Sequence, residues 1–280
     1  MKYKLLAFDM DGTLLDDTKQ IPKRNIDALF AAADRGCLIV PATGRMFSGL
    51  PPVLQDERLR YSILINGALV YDSKENRILH EGNIHYSNAA ALCRWLDELP
   101  VIYDCYIDNE GFMQADMHDA AEPYFEKSRN MFHYVMNTRT KVACLADYME
   151  ERKSPIQKMQ IYFRPWQEEL RRELMERIPN EFEGFAATSS LPNNIELNSV
   201  EAGKDTGLRK LCSALGISLE ETVVFGDGSN DLGIIKAAGL GIAMENGEEH
   251  VKKAADAIAK NNNEAGVALF IEELIATGQI

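Results

Sequence analysis

The segment KYKLLAFDMDGTLLDD places Asp9, Asp11, Asp16 and Asp17 within nine positions, directly after an apolar run suited to burial. Two carboxylates as close as Asp9 and Asp11 raise one another's pKa unless a cation or a hydrogen-bond network compensates them. Three other polar clusters occupy comparable places: ATGR at 42–45, EAGKDTG around Lys204, and GDGSND at 226–231. In a parallel α/β sheet the ligand lies at the carboxyl ends of the strands, where loops from several strands converge. Singly, these clusters read as a solvated loop, a turn or a surface charge. Together they supply carboxylates, a hydroxyl and an ammonium in a fixed order along the chain.

The elements that must position them alternate. KLLAF is a short apolar run ahead of a Gly-containing turn, as in a buried strand of a parallel sheet. PKRNIDALFAAADRG reads as a helix, with Pro22 near its start, Ile26, Leu29, Phe30 and Ala33 on its apolar face, and Gly36 as its stop. CLIVPATGR repeats the strand-to-turn pattern, and Asn66-Gly67 in YSILINGALVYD signals a hairpin. The same grammar returns late: GLRKLCSALG as a helix closed by Gly216, TVVFGDGSND as a strand entering an acidic turn, LGIIKAAGLGIAM as helix then strand, and a last strand and helix after it.

The middle of the chain differs. From about His85 to Phe185 it alternates helical stretches (NAAALCRWLDEL, WQEELRRELMERI) with a hairpin (VIYDCYIDNEGFMQAD) and a strand (KMQIYFR). This reads as an α+β insertion of about a hundred residues, large enough to be a domain. The expected organisation is a first core part at 1–84, an insertion at 85–187 and a second core part at 188–280, with joins near Gly82–Ser87 and Thr188–Asn193.

Composition narrows the partners. A chain of 280 residues with 46% hydrophobic positions can bury one large or two moderate cores. A formal charge of -13 argues against nucleic acid and against an anionic membrane surface. A small anionic substrate would then need a local cation. Five cysteines in no CxxC or Cys/His spacing read as reduced, mostly buried thiols, and no apolar stretch approaches the roughly eighteen residues of a membrane span. A soluble cytoplasmic protein is expected.

Asp, then Thr, then Lys, then GDxxND, each on its own strand-to-loop junction, resembles the signature of the haloacid dehalogenase superfamily of phosphohydrolases. The whole chain resembles its Cof-type branch, with supporting similarity in INGA at 65–68, IEL at 195–197 and NNEAGVA at 262–268. The resemblance implies a Rossmann-like parallel-sheet core with an inserted α+β cap of type IIB, acting as a lid. It implies Asp9 as a nucleophile that forms an aspartyl-phosphate. Asp11 becomes the general acid and then the base. Mg²⁺ would be held by Asp9, Asp227 and the backbone carbonyl of Asp11. Lys204 and Thr43 would serve the transferring phosphoryl group, with Met10, Gly12 and Gly44 at its oxygens and Asn230 binding one of them or supporting Asp227. Asp231 would orient Lys204 or a metal-bound water, and Thr13 would brace the loop. Arg45 would reach a substrate group or pair with a neighbouring acid. Asp16 and Asp17 fall outside the motif and read as ordinary loop acids.

The expected partner is a small phosphate ester, hydrolysed by a monomer or small homo-oligomer; sugar or polyol phosphates are the leading class. A sugar phosphomutase, a phosphatase of riboflavin biosynthesis and a non-catalytic sensor of a phosphorylated metabolite are the alternatives. Asp116, His118 and Asp119 in ADMHDAAEP read as a cap loop, since no second ligand cluster partners them.

Overall fold

The computed structural model describes residues 2–108, 110–126, 129–189 and 191–280. The chain forms two compact units, one comprising the residues up to Glu81 together with Ala202–Ile280, the other Gly82–Glu201. Before the insertion run β1 (Leu5–Phe8), β2 (Leu38–Pro41), β3 (Tyr61–Leu64), β4 (Leu69–Asp72) and β5 (Arg77–Glu81). Within it lie β6 (Ile102–Ile107), β7 (Glu110–Gln114), β8 (Arg139–Val142), β9 (Ile156–Tyr162), β10 (Phe185–Thr188) and β11 (Asn194–Ser199). After it come β12 (Thr222–Gly226), β13 (Leu240–Met244) and β14 (Ala257–Ala259).

The first unit is built on a parallel sheet of order β14-β13-β12-β1-β2. Its central strands are uninterrupted apolar runs because both faces are covered, so every residue of LLAF is buried. Leu5, Ala7, Val40 and Val224 share one apolar cluster with Leu208 and Leu211 of helix Lys204–Leu215. A short antiparallel sheet of order β3-β4-β5 adjoins it, and the Asn66-Gly67 turn joins β3 to β4 as its sequence indicates. This is an α/β fold with a Rossmann-like parallel core.

The second unit carries a six-stranded sheet of order β10-β11-β9-β6-β7-β8, antiparallel except for β7 with β8. Helix Tyr86–Leu96, helix Leu145–Arg152 and helix Glu168–Glu181 bury one apolar face against it, with Tyr103, Met159, Ile161 and Leu197 at the centre. The β6–β7 turn includes Asn109, outside the described residues. On helix Glu168–Glu181, Arg177 pairs with Glu173 and Glu181 one turn away on either side, as an exposed charged face does.

The second join differs from the 187/188 expected. Strand β11 pairs antiparallel with β9 and β10, so its backbone ladder belongs to the inserted unit and the join falls between Glu201 and Ala202. IELNS alone does not reveal this, because an apolar strand reads alike in either sheet. Among the described residues no helix is long and apolar enough to cross a membrane.

Candidate active site

The parallel sheet delivers three of the polar clusters to one edge. Asp9 follows the last residue of β1, Thr43 follows β2 by two residues, and Asp227 follows β12, the strand on the other side of β1. That is the crevice between oppositely directed crossovers where open α/β sheets bind ligands. Lys204 arrives from elsewhere, as the first residue of helix Lys204–Leu215. Its approach depends on the INGA turn: Gly67 has φ +89°, and a Cβ there would lie 1.9 Å from the Gly203 carbonyl oxygen, so only glycine lets the turn press onto the backbone just ahead of the lysine.

Lys204 is buried, and its ammonium donates to Asp9 Oδ1 and to Asp231 Oδ1, each at 2.6 Å. Asp231 Oδ2 accepts the Asp227 and Gly228 backbone amides at 3.0 and 3.1 Å, so both of its oxygens are engaged. Thr13 donates to Asp227 Oδ1 at 2.7 Å, orienting that carboxylate as well as bracing its own loop. Gly12 has φ +87°, and a Cβ there would fall 2.3 Å from Asp227 Oδ2. The close approach of Asp227 to the loop therefore requires a glycine.

The electrostatics follow from crowding. Burial, repulsion from Asp231 and repulsion from Asp227 raise the Asp9 carboxyl well above the ordinary range, against the pull of Lys204. Asp227 is pushed up to about 7, by burial first and by Asp231 second. Burial acts downward on Lys204, but Asp231 and Asp9 outweigh it and the ammonium is held charged. Asp9, Asp227 and Asp231 each offer an oxygen within 4.8 Å of the others, three acids against one ammonium. Asp9 Oδ2 and Asp227 Oδ2 accept no hydrogen bond among the described residues. An all-oxygen, net-negative donor set of this kind fits a hard divalent cation such as Mg²⁺.

Asp11 stands apart from that cluster. Arg45 grips its carboxylate in a fork, Nε to Oδ2 at 3.0 Å and Nη2 to both oxygens at 2.9 and 2.8 Å, while Lys19 donates at 2.9 Å. Burial acts upward on this group, yet Arg45 and Lys19 outweigh it and leave its pKa below the ordinary value. The two neighbouring acids are thus compensated by different cations, Asp9 by Lys204 and Asp11 by Arg45 with Lys19. Of the two roles open to Arg45, the structure shows the pairing with an acid.

The remaining expected residues surround this centre. Thr43 is buried, its amide donating to the Ile63 carbonyl at 2.9 Å and its hydroxyl oxygen accepting the Arg45 amide at 3.2 Å, with Gly44 between them half-buried. The Met10 carbonyl accepts the amides of Leu14 and Leu15 at 3.0 and 2.8 Å, curling the loop after β1 into a tight turn. Asn230 Nδ2 lies 3.5 Å from Asn66 Oδ1. Asp16 accepts from Thr18 and Gln20, and Asp17 from Asn262 and Asn263, so both organise the loop. Sequence reading overlooked Asn25, Asn246 and Asn262, whose side chains bond the loop after β1; only the NNEAGVA similarity pointed toward one of them. Asp119 of the inserted unit pairs with Lys141.

The sequence profile of the haloacid dehalogenase-like hydrolases matches residues 6–271. Phosphatase YwpJ of Bacillus subtilis is 30% identical over 97% of this chain and 100% of its own length. The 5-amino-6-(5-phospho-D-ribitylamino)uracil phosphatase YcsE of the same organism is 28% identical over 97% of this chain and 96% of its own. A solved structure described as a HAD subclass IIB sugar phosphatase has the same fold, with a TM-score of 0.80 over 99% of this chain and 100% of that one at 24% identity.

Proposed function

The chain belongs to the haloacid dehalogenase-like hydrolase family, and from that premise we propose that it is a Mg²⁺-dependent phosphomonoesterase of small phosphorylated metabolites, sugar or polyol phosphates. The observation that carries this reading is the buried Asp9–Lys204–Asp231 chain with Asp227 beside it. In this reading Asp9, held by the Lys204 ammonium and flanked by Asp227, is the nucleophile, and the crowding that raises its pKa is what a bound divalent cation would relieve.

In the proposed reaction Asp9 attacks phosphorus, the Asp9 O–P bond forms and the ester P–O bond breaks. Asp11 gives its proton to the departing alkoxide, then takes one from the water that attacks phosphorus and releases phosphate from Asp9. The Arg45 fork must therefore open for the first step, whereas the paired, ionised Asp11 suits the second. Lys204 neutralises charge on Asp9 and on the transferring group. Thr43, Gly44, Met10, Gly12 and Asn230 face the phosphoryl oxygens, and Asp231 holds both Lys204 and the Asp227 backbone in place. Asp9, Asp227 and the Asp11 carbonyl would hold Mg²⁺, which when bound would supply the charge neutralisation that lets two anions meet.

The relative YcsE is named for a substrate with a phosphorylated ribityl chain, which supports polyol phosphates within the proposed class. The test is a Mg²⁺-dependent phosphate-release screen over sugar, polyol, nucleotide and cofactor phosphates. The proposal expects release from sugar or polyol phosphates that EDTA abolishes and added Mg²⁺ restores. Isomerisation without phosphate release, seen when a bisphosphorylated sugar is supplied, would instead make it a mutase. No turnover of any ester would leave a sensor.

A further inference from the structure

Within the loop between Asp9 and Asp16 the Met10 carbonyl is satisfied by the loop's own amides, whereas other carbonyls are met from outside it. Three of them meet asparagine amides from three separate segments. Asn246 Nδ2 donates to the Gly12 carbonyl at 2.7 Å, Asn25 Nδ2 to Leu14 at 3.0 Å, and Asn262 Nδ2 to Leu15 at 3.0 Å. The asparagines are tied onward: Asn25 Oδ1 accepts the Ala268 amide, and Asn246 Oδ1 accepts the Asn262 amide, each at 3.0 Å. The acidic loop is therefore lashed to the loops after β13 and β14 and to helix Lys23–Ala33.

We infer that Asn246 is a positioning residue for the proposed metal site, seating Gly12 against Asp227. The Gly12 α-carbon faces the Asp227 carboxylate so closely that a Cβ would strike it, and the adjacent Thr13 donates to the same carboxylate. Wherever the Gly12 peptide lies, Thr13 and the Asp11 carbonyl on either side must follow. Asn246 holds the Gly12 carbonyl, and two residues further on the Glu248 amide donates to the Asp227 carbonyl at 2.9 Å. Asn246 thereby fixes the distance between the loop that carries Asp9 and Asp11 and the loop that carries Asp227. Asn25 and Asn262 are buried and hold the following turn. Asn246 is exposed, so water can meet the Gly12 carbonyl once the side chain is removed, and the fold survives the change.

The inference rests on the Mg²⁺-phosphatase reading, and its test separates the two. Asn246→Asp keeps the shape of the side chain and removes its donor; Asn246→Ala removes both. Hydrogen exchange at the Thr13, Leu14 and Leu15 amides, the Mg²⁺ midpoint of the thermal shift, and kcat at saturating Mg²⁺ are compared with the parent protein. Exchange is expected to quicken and the Mg²⁺ midpoint to rise about tenfold in both variants, as for partners that orient metal ligands, while kcat at saturating Mg²⁺ falls less than about twofold. An unmoved Mg²⁺ midpoint in both variants overturns the inference, including where exchange quickens. If the parent protein releases no phosphate yet the variants shift the midpoint, the positioning role stands and the phosphatase reading falls.

Discussion

Lys204 Nζ lies 2.6 Å from Asp9 Oδ1, both groups are buried, and the same ammonium reaches Asp231 at an equal distance. One cation from a helix start thus holds two acids, one directly after β1 and one in the helical turn that follows β12. Removing one member of a buried ionic group is far costlier than the net worth of the group, because the others stay buried and uncompensated.

Lys204→Met leaves Asp9 and Asp231 facing each other without their cation. Turnover should fall by at least about 10²–10³-fold, the range for loss of one preorganised electrostatic donor. The metal-free protein should also lose about 3–5 kcal/mol of stability. Steady-state kinetics and denaturant unfolding check both. A variant as stable and active as its parent would show that the buried chain contributes neither charge balance nor catalysis.

The Asp227 carboxyl gives a pH dependence. Its pKa, pushed from the ordinary 3.8 to about 7 by burial and by Asp231, lets the folded protein keep a proton that the unfolded chain has lost. Its stabilising contribution is fully present below the unfolded value and is lost as pH rises through the folded one, so the metal-free protein weakens between about pH 4 and pH 7. A metal ligand must be deprotonated, so Mg²⁺ affinity should climb over about pH 5–7 and level off above. Thermal shifts with and without Mg²⁺ across that range test this. Equal Mg²⁺ shifts at both ends would contradict it.

Arg45→Ala takes away the stronger of the two cations on Asp11. The Asp11 pKa then rises, and the limb of the kcat/KM profile that reports the general acid should move to higher pH. An unshifted profile would mean that the Arg45 fork does not bear on Asp11 in the working enzyme.

Gly12→Ala would put a methyl group 2.3 Å from Asp227 Oδ2 at a backbone angle that alanine resists. Asp227 must move, and with it the site for a cation. Mg²⁺ affinity is expected to fall about tenfold or more, measured by titration calorimetry. Parent-like affinity would show that Asp227 is not held by this contact.

The positions of the acids were legible because each follows an apolar run short enough to be a buried strand. KLLAF, CLIVP and TVVFG end at Asp9, the Thr43 turn and Asp227, so the parallel sheet brings them together. Lys204 was legible only through its place in the order of motifs. What the sequence hid is pairing across distance. Nothing near Arg45 names Asp11, 34 positions earlier, as its partner. Asn246 bonds a carbonyl 234 positions away, and backbone carbonyls leave no trace in residue types. The second join was misplaced for the same reason, since the partners of β11 lie in β9 and β10 rather than in its own residues.

The central claim is that Asp9 carries the phosphoryl group. The direct measurement is acid quenching of the enzyme during turnover with Mg²⁺ and a sugar or polyol phosphate, borohydride reduction, and mass spectrometry of the peptide containing residue 9. The proposed mechanism predicts that residue 9 is converted to homoserine only when both Mg²⁺ and substrate are present. It also predicts that Asp9→Asn shows no conversion and loses about 10³-fold or more of turnover. Turnover with no modification at residue 9, or an Asp9→Asn protein of ordinary activity, would contradict it.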